Sequence, residues 1–288
     1  MKGILLAGGT GSRLYPNTVT LNKHLLPVYD KPMIYYPLSV LMMIGITDVL
    51  LICNKKDLIH YQALLADGQQ LGIHIEYSTQ DHANGIAEAF IIGEDFIKND
   101  SVCLLLGDNI FHSNNLSKEI EECTNLENGA YIFAYQVADP TRYGVVEFDQ
   151  NHIARSIEEK PQFPKSDFAV PGIYFYDNRV SEIAKHIKPS NRNELEITDI
   201  NKVYLEEGSL GVKEFGRGSV WFDTGTTESL FMASDYIETL ETRQGLKIAC
   251  LEEIAYRNHY INKQQLSETI KNYPNSEYKS YLEKIIER

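Results

Sequence analysis

The chain has 288 residues, 43% of them hydrophobic and 23% charged, which suits one large globular domain or two modest ones. Its net charge of −13 argues against a general nucleic-acid partner, although a local cluster of Arg and Lys would still serve a small phosphorylated ligand. No apolar run is long enough to span a bilayer, so no membrane partner is expected.

Met1-Lys2-Gly3 leads directly into a strand, so no signal peptide is expected and the cytoplasm is the expected compartment. Cys53, Cys103, Cys123 and Cys250 are widely spaced with no C-x-x-C pair, which disfavours zinc and redox chemistry.

Strand-like and helix-like segments alternate from the start. Gly3–Ala7 reads as a strand, Pro32–Gly45 as a mostly buried helix with a possible kink at Pro37, and Asp48–Cys53 as a second strand. Helix Lys56–Ala66, strand Ile73–Ser78, helix Gly85–Phe96 and strand Ser101–Leu106 follow. Continuous apolar strands separated by helices predict a doubly wound α/β core with a mostly parallel central sheet. From about Gly129 the pattern changes. Ala130–Val137, Gly144–Asp149, His152–Glu158 and Val170–Tyr176 predict a mixed sheet or an inserted antiparallel ribbon. Helix Thr198–Glu206, short strands Val212–Phe215 and Val220–Phe222, and helix Ser229–Glu241 come next. Two polar helices, Leu266–Lys271 and Tyr278–Ile286, close the chain. Residues 1–242 form the expected catalytic domain, with 243–288 a helical appendage of the same globular unit.

The first strand ends in Gly8-Gly9-Thr10-Gly11-Ser12-Arg13-Leu14. Such a turn exposes several backbone N–H groups in a concave array suited to phosphates, and Arg13 adds a planar charged fork. Leu14 stands where a dinucleotide fold needs its third glycine, and no G-x-x-x-x-G-K-[ST] loop is present. A tight turn without a ligand is the bland alternative. Asp108 follows the apolar strand Leu104-Leu105-Leu106, at the strand end where open α/β sheets bind ligands. It is a candidate Mg²⁺ ligand, or a turn cap. Asp223, after Val220-Trp221-Phe222, is a second candidate, or the N-cap of the next helix.

The glycine loop followed by Lys23-His24-Leu25-Leu26-Pro27-Val28-Tyr29-Asp30-Lys31-Pro32 resembles the sugar-1-phosphate nucleotidyltransferases, and the string through Met33-Ile34-Tyr35-Tyr36-Pro37-Leu38 resembles their thymidylyl-transferring branch. The resemblance extends through Trp221–Thr226 to Ile254–Arg257. It implies transfer of a thymidylyl group from dTTP to glucose 1-phosphate, assisted by Mg²⁺. Arg13, Lys23 and Lys160 would be the catalytic cations. Gly8, Gly9, Thr10, Gly11, Gln80, Gly85 and Asp108 would meet the nucleotide. Tyr143, Gly144, Glu159, Lys160 and Val170 would meet the sugar phosphate, and Asp108 and Asp223 would hold the metal. It further implies a homotetramer and a dTDP-sugar feedback site including Arg217, Arg243 and Arg257, although an arginine in such a place is more often a surface or interface residue. Thr198, in Asn193–Asp199, is expected to cap the next helix.

The chain departs from that branch at Asp81-His82-Ala83-Asn84, where a proline-rich segment is usual, and at His24 and Glu88, where glutamine is usual. Uridylyl transfer with the same chemistry, or a non-catalytic nucleotide-sugar sensor, are the competing readings. A sensor can lose its arginine or its metal aspartates, and this chain retains Arg13, Lys23, Asp108, Lys160 and Asp223.

Overall fold

A computed structural model describes residues 1–287. The strands are β1 (Lys2–Ala7), β2 (Pro27–Val28), β3 (Lys31–Pro32), β4 (Asp48–Cys53), β5 (His74–Thr79), β6 (Val102–Leu106), β7 (Asn109–His112), β8 (Ala130–Gln136), β9 (Gly144–Phe148), β10 (Ala154–Glu159), β11 (Phe168–Ala169), β12 (Ile173–Tyr176), β13 (Leu210–Glu214) and β14 (Val220–Asp223). The helices are α1 (Tyr35–Met43), α2 (Leu58–Leu65), α3 (Glu88–Ile92), α4 (Glu94–Ile97), α5 (Leu116–Thr124), α6 (Val180–His186), α7 (Ile197–Glu206), α8 (Thr227–Gln244), α9 (Leu251–Arg257), α10 (Lys263–Lys271) and α11 (Glu277–Glu287).

One ten-stranded sheet runs β10-β9-β11-β8-β12-β6-β1-β4-β5, with β13 also paired to β8. The pairs β6–β1, β1–β4 and β4–β5 are parallel. Strand β12 joins antiparallel between β6 and β8, so the later strands extend the parallel half instead of forming a separate ribbon. Side chains alternate between two cores. Leu5, Leu51, Cys103 and Leu105 face helices α1 and α9–α11, whereas Ile4, Leu50, Val102 and Leu104 face α3, α6 and α7. Burial on both faces explains why these strands read as unbroken apolar runs. Truncating one such side chain, Leu5→Ala, would cost about 2–5 kcal/mol.

Three expectations are corrected. Helix α1 begins at Tyr35, because Lys31–Pro32 pair with Pro27–Val28 in a small hairpin. Pro37 then lies in the first turn, where a missing N–H breaks no helical bond, so it gives no reason for a kink. The segment after Gly85 is two short helices, α3 and α4, divided at Gly93. The cysteines are free and buried, as small apolar side chains. Helix α8 continues through Arg243 to Gln244, and Leu251, Ala255, Leu266, Ile270 and Leu282 of the last three helices belong to the same core as β1 and β4.

Candidate active site

The carboxyl ends of β1 and β6 open into a cavity of about 530 Å³. Gly9 and Gly11 adopt positive φ, 88° and 62°, which turns the chain sharply from β1 into the short turn Ser12–Leu14. Leu14 is fully buried, so the position of the missing third glycine is a packing anchor. Gly8, Gly9 and Arg13 line the cavity, whereas Thr10 and Gly11 do not. Thr18 Oγ1 donates to the Gly11 carbonyl at 2.9 Å, and Asn54 Nδ2 to the Gly9 carbonyl at 2.9 Å, so the loop is braced from behind. The exposed Arg13 guanidinium lies against Gly225, where an added Cβ would stand 2.8 Å from it.

Asn22 caps the turn that carries Lys23 and His24, accepting from His24 N at 3.1 Å. Lys23 is thereby directed onto Asp108, and the two form an ion pair. His24 is buried, and burial together with the adjacent Lys23 charge lowers its pKa to about 3, so the ring is neutral. Asp108 is 8% exposed. Burial opposes its ionisation, but Lys23 and the Asn109 amide (2.9 Å) hold its carboxyl well below the usual range.

Strand β14 pairs antiparallel with β7, setting Asp223 opposite Asn109 and hence beside Asp108. Thr224 fastens the junction by donating from N (3.0 Å) and Oγ1 (2.7 Å) to the Asp108 carbonyl. Burial and the negative charge of Asp108 raise the Asp223 pKa, against the opposing pull of Arg13, Lys23 and Arg142. A buried and a half-buried carboxylate that repel one another are a donor set suited to a divalent cation whose other ligands are phosphate oxygens and water. Asp223 does not cap α8. That role falls to Thr226, which accepts from Ser229 N at 3.2 Å.

On one flank, Gln80 and Gly85 line the cavity. Gly85 has φ 106°, and an added Cβ would lie 2.3 Å from the Leu195 carbonyl oxygen. The loop is zipped to Leu195 there by Leu195 N donating to the Asn84 carbonyl (2.6 Å) and Ala87 N to the Leu195 carbonyl (3.2 Å).

On the other flank stand Tyr143, Gly144, Glu159, Lys160 and Val170. Lys160 N donates to the Tyr143 carbonyl at 2.9 Å, and Val170 N to the Gly144 carbonyl at 2.8 Å. Lys160 holds a positive φ of 45°, uncommon for a side-chain-bearing residue and typical of functional turns. Glu159 is gripped by Thr198 Oγ1 (2.6 Å), Arg192 Nη2 (3.3 Å) and the Lys160 ammonium (3.1 Å). Thr198 is therefore not a helix cap: Glu196 occupies that position, and Thr198 turns inward to hold the carboxylate. Tyr143 packs on Trp221, with ring centroids 5.0 Å apart.

Sequence reasoning missed Arg192 and Arg142, which line the same cavity. Arg192 bonds Glu196 at 2.8 Å as well as Glu159, and Arg142 reaches Asp223 at 3.4 Å. Each adjoins a motif, and nothing else in the sequence marks it. Arg217, Arg243 and Arg257 do not line the cavity. Arg257 Nε donates to Glu253 at 2.7 Å, and Arg243 is exposed in the last turn of α8.

A glycine loop, paired carboxylates and five lining cations (Arg13, Lys23, Arg142, Lys160 and Arg192) around one strand-end cavity suit a protein that handles two phosphorylated ligands together. Residues 2–239 match the family model described as nucleotidyl transferase, and the chain belongs to that family. It is 54% identical over 288 residues to glucose-1-phosphate thymidylyltransferase of Neisseria meningitidis, with all of both chains covered. It is 52% identical over 288 residues, again all of both, to the protein of that name from Mycobacterium tuberculosis H37Rv. Among solved structures, a protein assigned as a glucose-1-phosphate thymidylyltransferase of Bacillus anthracis, in complex with sucrose, aligns with a TM-score of 0.76 at 47% identity. The alignment covers 82% of this chain and 94% of that one. UDP-glucose pyrophosphorylase in complex with UDP-glucose aligns with a TM-score of 0.73 at 25% identity, covering 83% and 98%.

Proposed function

We propose that this protein transfers a thymidylyl group from dTTP to glucose 1-phosphate, giving dTDP-glucose and pyrophosphate. The observation that carries the reading is one cavity bounded by the glycine loop with Arg13, the Lys23–Asp108–Asp223 cluster, and the Glu159–Lys160 turn. The relatives named for this reaction match the chain from end to end.

A phosphate oxygen of the sugar phosphate forms the new bond to the α-phosphorus, and the bond from that phosphorus to the pyrophosphate oxygen breaks. The attacking phosphate is already ionised near neutral pH, so no protein nucleophile or general base is required. The chain's task is to bring two anions together in line. The glycine-loop amides and Arg13 hold the triphosphate, and Lys160 holds the sugar phosphate. Glu159, fixed by Thr198 and Arg192, accepts from sugar hydroxyls. Gln80 and the backbone near Gly85 meet the base. Lys23 and Arg13 offset negative charge as the transition state forms. Asp108 and Asp223 would hold Mg²⁺, which supplies Lewis-acid polarisation of phosphate oxygens when bound.

The product would feed deoxysugar synthesis, dTDP-rhamnose above all, in the cytoplasm; no helix among the described residues is long and apolar enough to cross a membrane. A homotetramer with a dTDP-sugar feedback site, and Arg217, Arg243 and Arg257 within it, is part of the same reading. The deciding experiment is pyrophosphate release from dTTP and from UTP with glucose 1-phosphate, with and without Mg²⁺. Mg²⁺-dependent release with a higher kcat/KM for dTTP is expected. A higher kcat/KM for UTP would replace the thymidylyl assignment, and no release with either nucleotide despite tight binding would make the protein a sensor.

A further inference from the structure

Glu88, in the first turn of α3, has both carboxylate oxygens engaged on the nucleotide flank. Oε2 accepts from Gln80 Nε2 at 2.7 Å, and Oε1 accepts from Asn84 Nδ2 at 2.7 Å. The Gly85 carbonyl accepts from the same Gln80 nitrogen at 3.2 Å. Carboxylates and peptide carbonyls accept hydrogen bonds and do not donate them. Between two such acceptors the Gln80 amide has one tolerable orientation, with NH₂ toward them. The reverse would set its oxygen against two others in a residue only 6% exposed. Both Nε2 hydrogens are then used. Oε1 lies over Gly8 at the cavity wall, where a Cβ added to the glycine would stand 2.9 Å from it. A ligand therefore meets an acceptor at this point and no donor.

We infer that Glu88 is a positioning residue for base selection. By fixing Gln80 as an acceptor it selects pyrimidines with a ring N3–H and rejects cytosine, whose N3 is itself an acceptor. This rests on the thymidylyl reading above; glutamine is usual at this position in the branch the sequence resembles, so Glu88 makes this chain stricter against cytosine than a glutamine there would. Two acceptors face to face leave both unpaired, and sites built on a hydrogen bond discriminate strongly for that reason. A glutamine at position 88 could donate or accept and would leave the Gln80 amide freer to turn.

The test is kcat/KM for dTTP and dCTP, each with glucose 1-phosphate, in the wild type, Glu88→Gln and Glu88→Ala, with melting temperatures alongside. The wild type should favour dTTP over dCTP by about two orders of magnitude or more. Glu88→Gln, which keeps the shape and is expected to fold, should lower that ratio about tenfold, through a higher KM for dTTP and a gain with dCTP, with kcat on dTTP largely kept. Glu88→Ala should lower it at least as far. A folded Glu88→Gln protein with the wild-type ratio would overturn the inference, because a purely structural role slows both nucleotides equally. A wild type inactive with dTTP overturns the thymidylyl reading and this inference with it, whereas a wild type active with dTTP and an unchanged ratio in the variant overturns the inference alone.

Discussion

Thr198, 2% exposed in the first turn of α7, donates its hydroxyl to Glu159 Oε2 at 2.6 Å. The bond ties a helix to the end of β10 and fixes the carboxylate assigned to the sugar. Replacing Thr198 with Val keeps the shape and removes the donor. The KM for glucose 1-phosphate is expected to rise about tenfold, the equivalent of one hydrogen bond, with kcat little changed. Steady-state kinetics at saturating dTTP read both, and Thr198→Ser should restore most of the loss.

Arg13 makes no hydrogen bond or ion pair within 4 Å among the described residues, although it lines the cavity. An exposed arginine without an internal partner adds little to folding. Arg13→Ala should therefore lower kcat/KM by about two orders of magnitude, on the scale of one lost transition-state donor, while leaving the melting temperature unchanged. Near-normal turnover in that variant would remove Arg13 from the mechanism.

The centre of the sheet was legible because β1, β4 and β6 are buried on both faces and so read as apolar runs. The glycine loop, Arg13 and Asp108 were legible because they follow such runs, whereas Lys23, in a polar turn, was marked only by the resemblance of the string around it. Strand β7 and the β7–β14 pair were not. They are four residues each, and the register that sets Asp223 opposite Asn109 joins distant parts of the chain. Thr198 misled for a related reason. A threonine at a helix start usually caps it, and only the fold reveals a carboxylate from β10 within its reach. Arg192 and Arg142 carried no local signal, since an arginine beside a motif looks like any surface arginine until its partners are in view.

Gly85 should tolerate no side chain. Its φ of 106° is unfavourable for any residue with a Cβ, and that atom would meet the Leu195 backbone at 2.3 Å. Gly85→Ala should cost about 1–3 kcal/mol from strain alone, read as a lower urea midpoint. It should also raise the KM for dTTP more than that for glucose 1-phosphate, because the displaced loop carries Gln80's carbonyl partner.

Acid should weaken the fold partly through Asp30. Burial pushes its carboxyl up, but the Lys31 and Lys247 ammonium groups beside it pull it down further, and the net pKa lies below the ordinary value. A depressed folded pKa stabilises the protein above the unfolded value, near 3.9, and that contribution fades as pH falls through and below it. In Asp30→Asn the contribution is already absent. Urea midpoints between pH 6 and pH 3 should therefore fall less steeply for the variant than for the wild type.

Strand β6, with Asp108 at its end, lies between β1, which feeds the glycine loop, and β12, which leads to the sugar-side strands. Hydrogen-bonded neighbours stand about 4.8 Å apart, whatever their side chains. The sheet thus acts as a ruler, and the separation of the two substrates is a property of backbone pairing. Loops at the strand ends can be rewritten to accept another base or hexose without moving the reacting atoms apart. A frame that measures distance independently of sequence is consistent with a solved pyrophosphorylase keeping it at 25% identity.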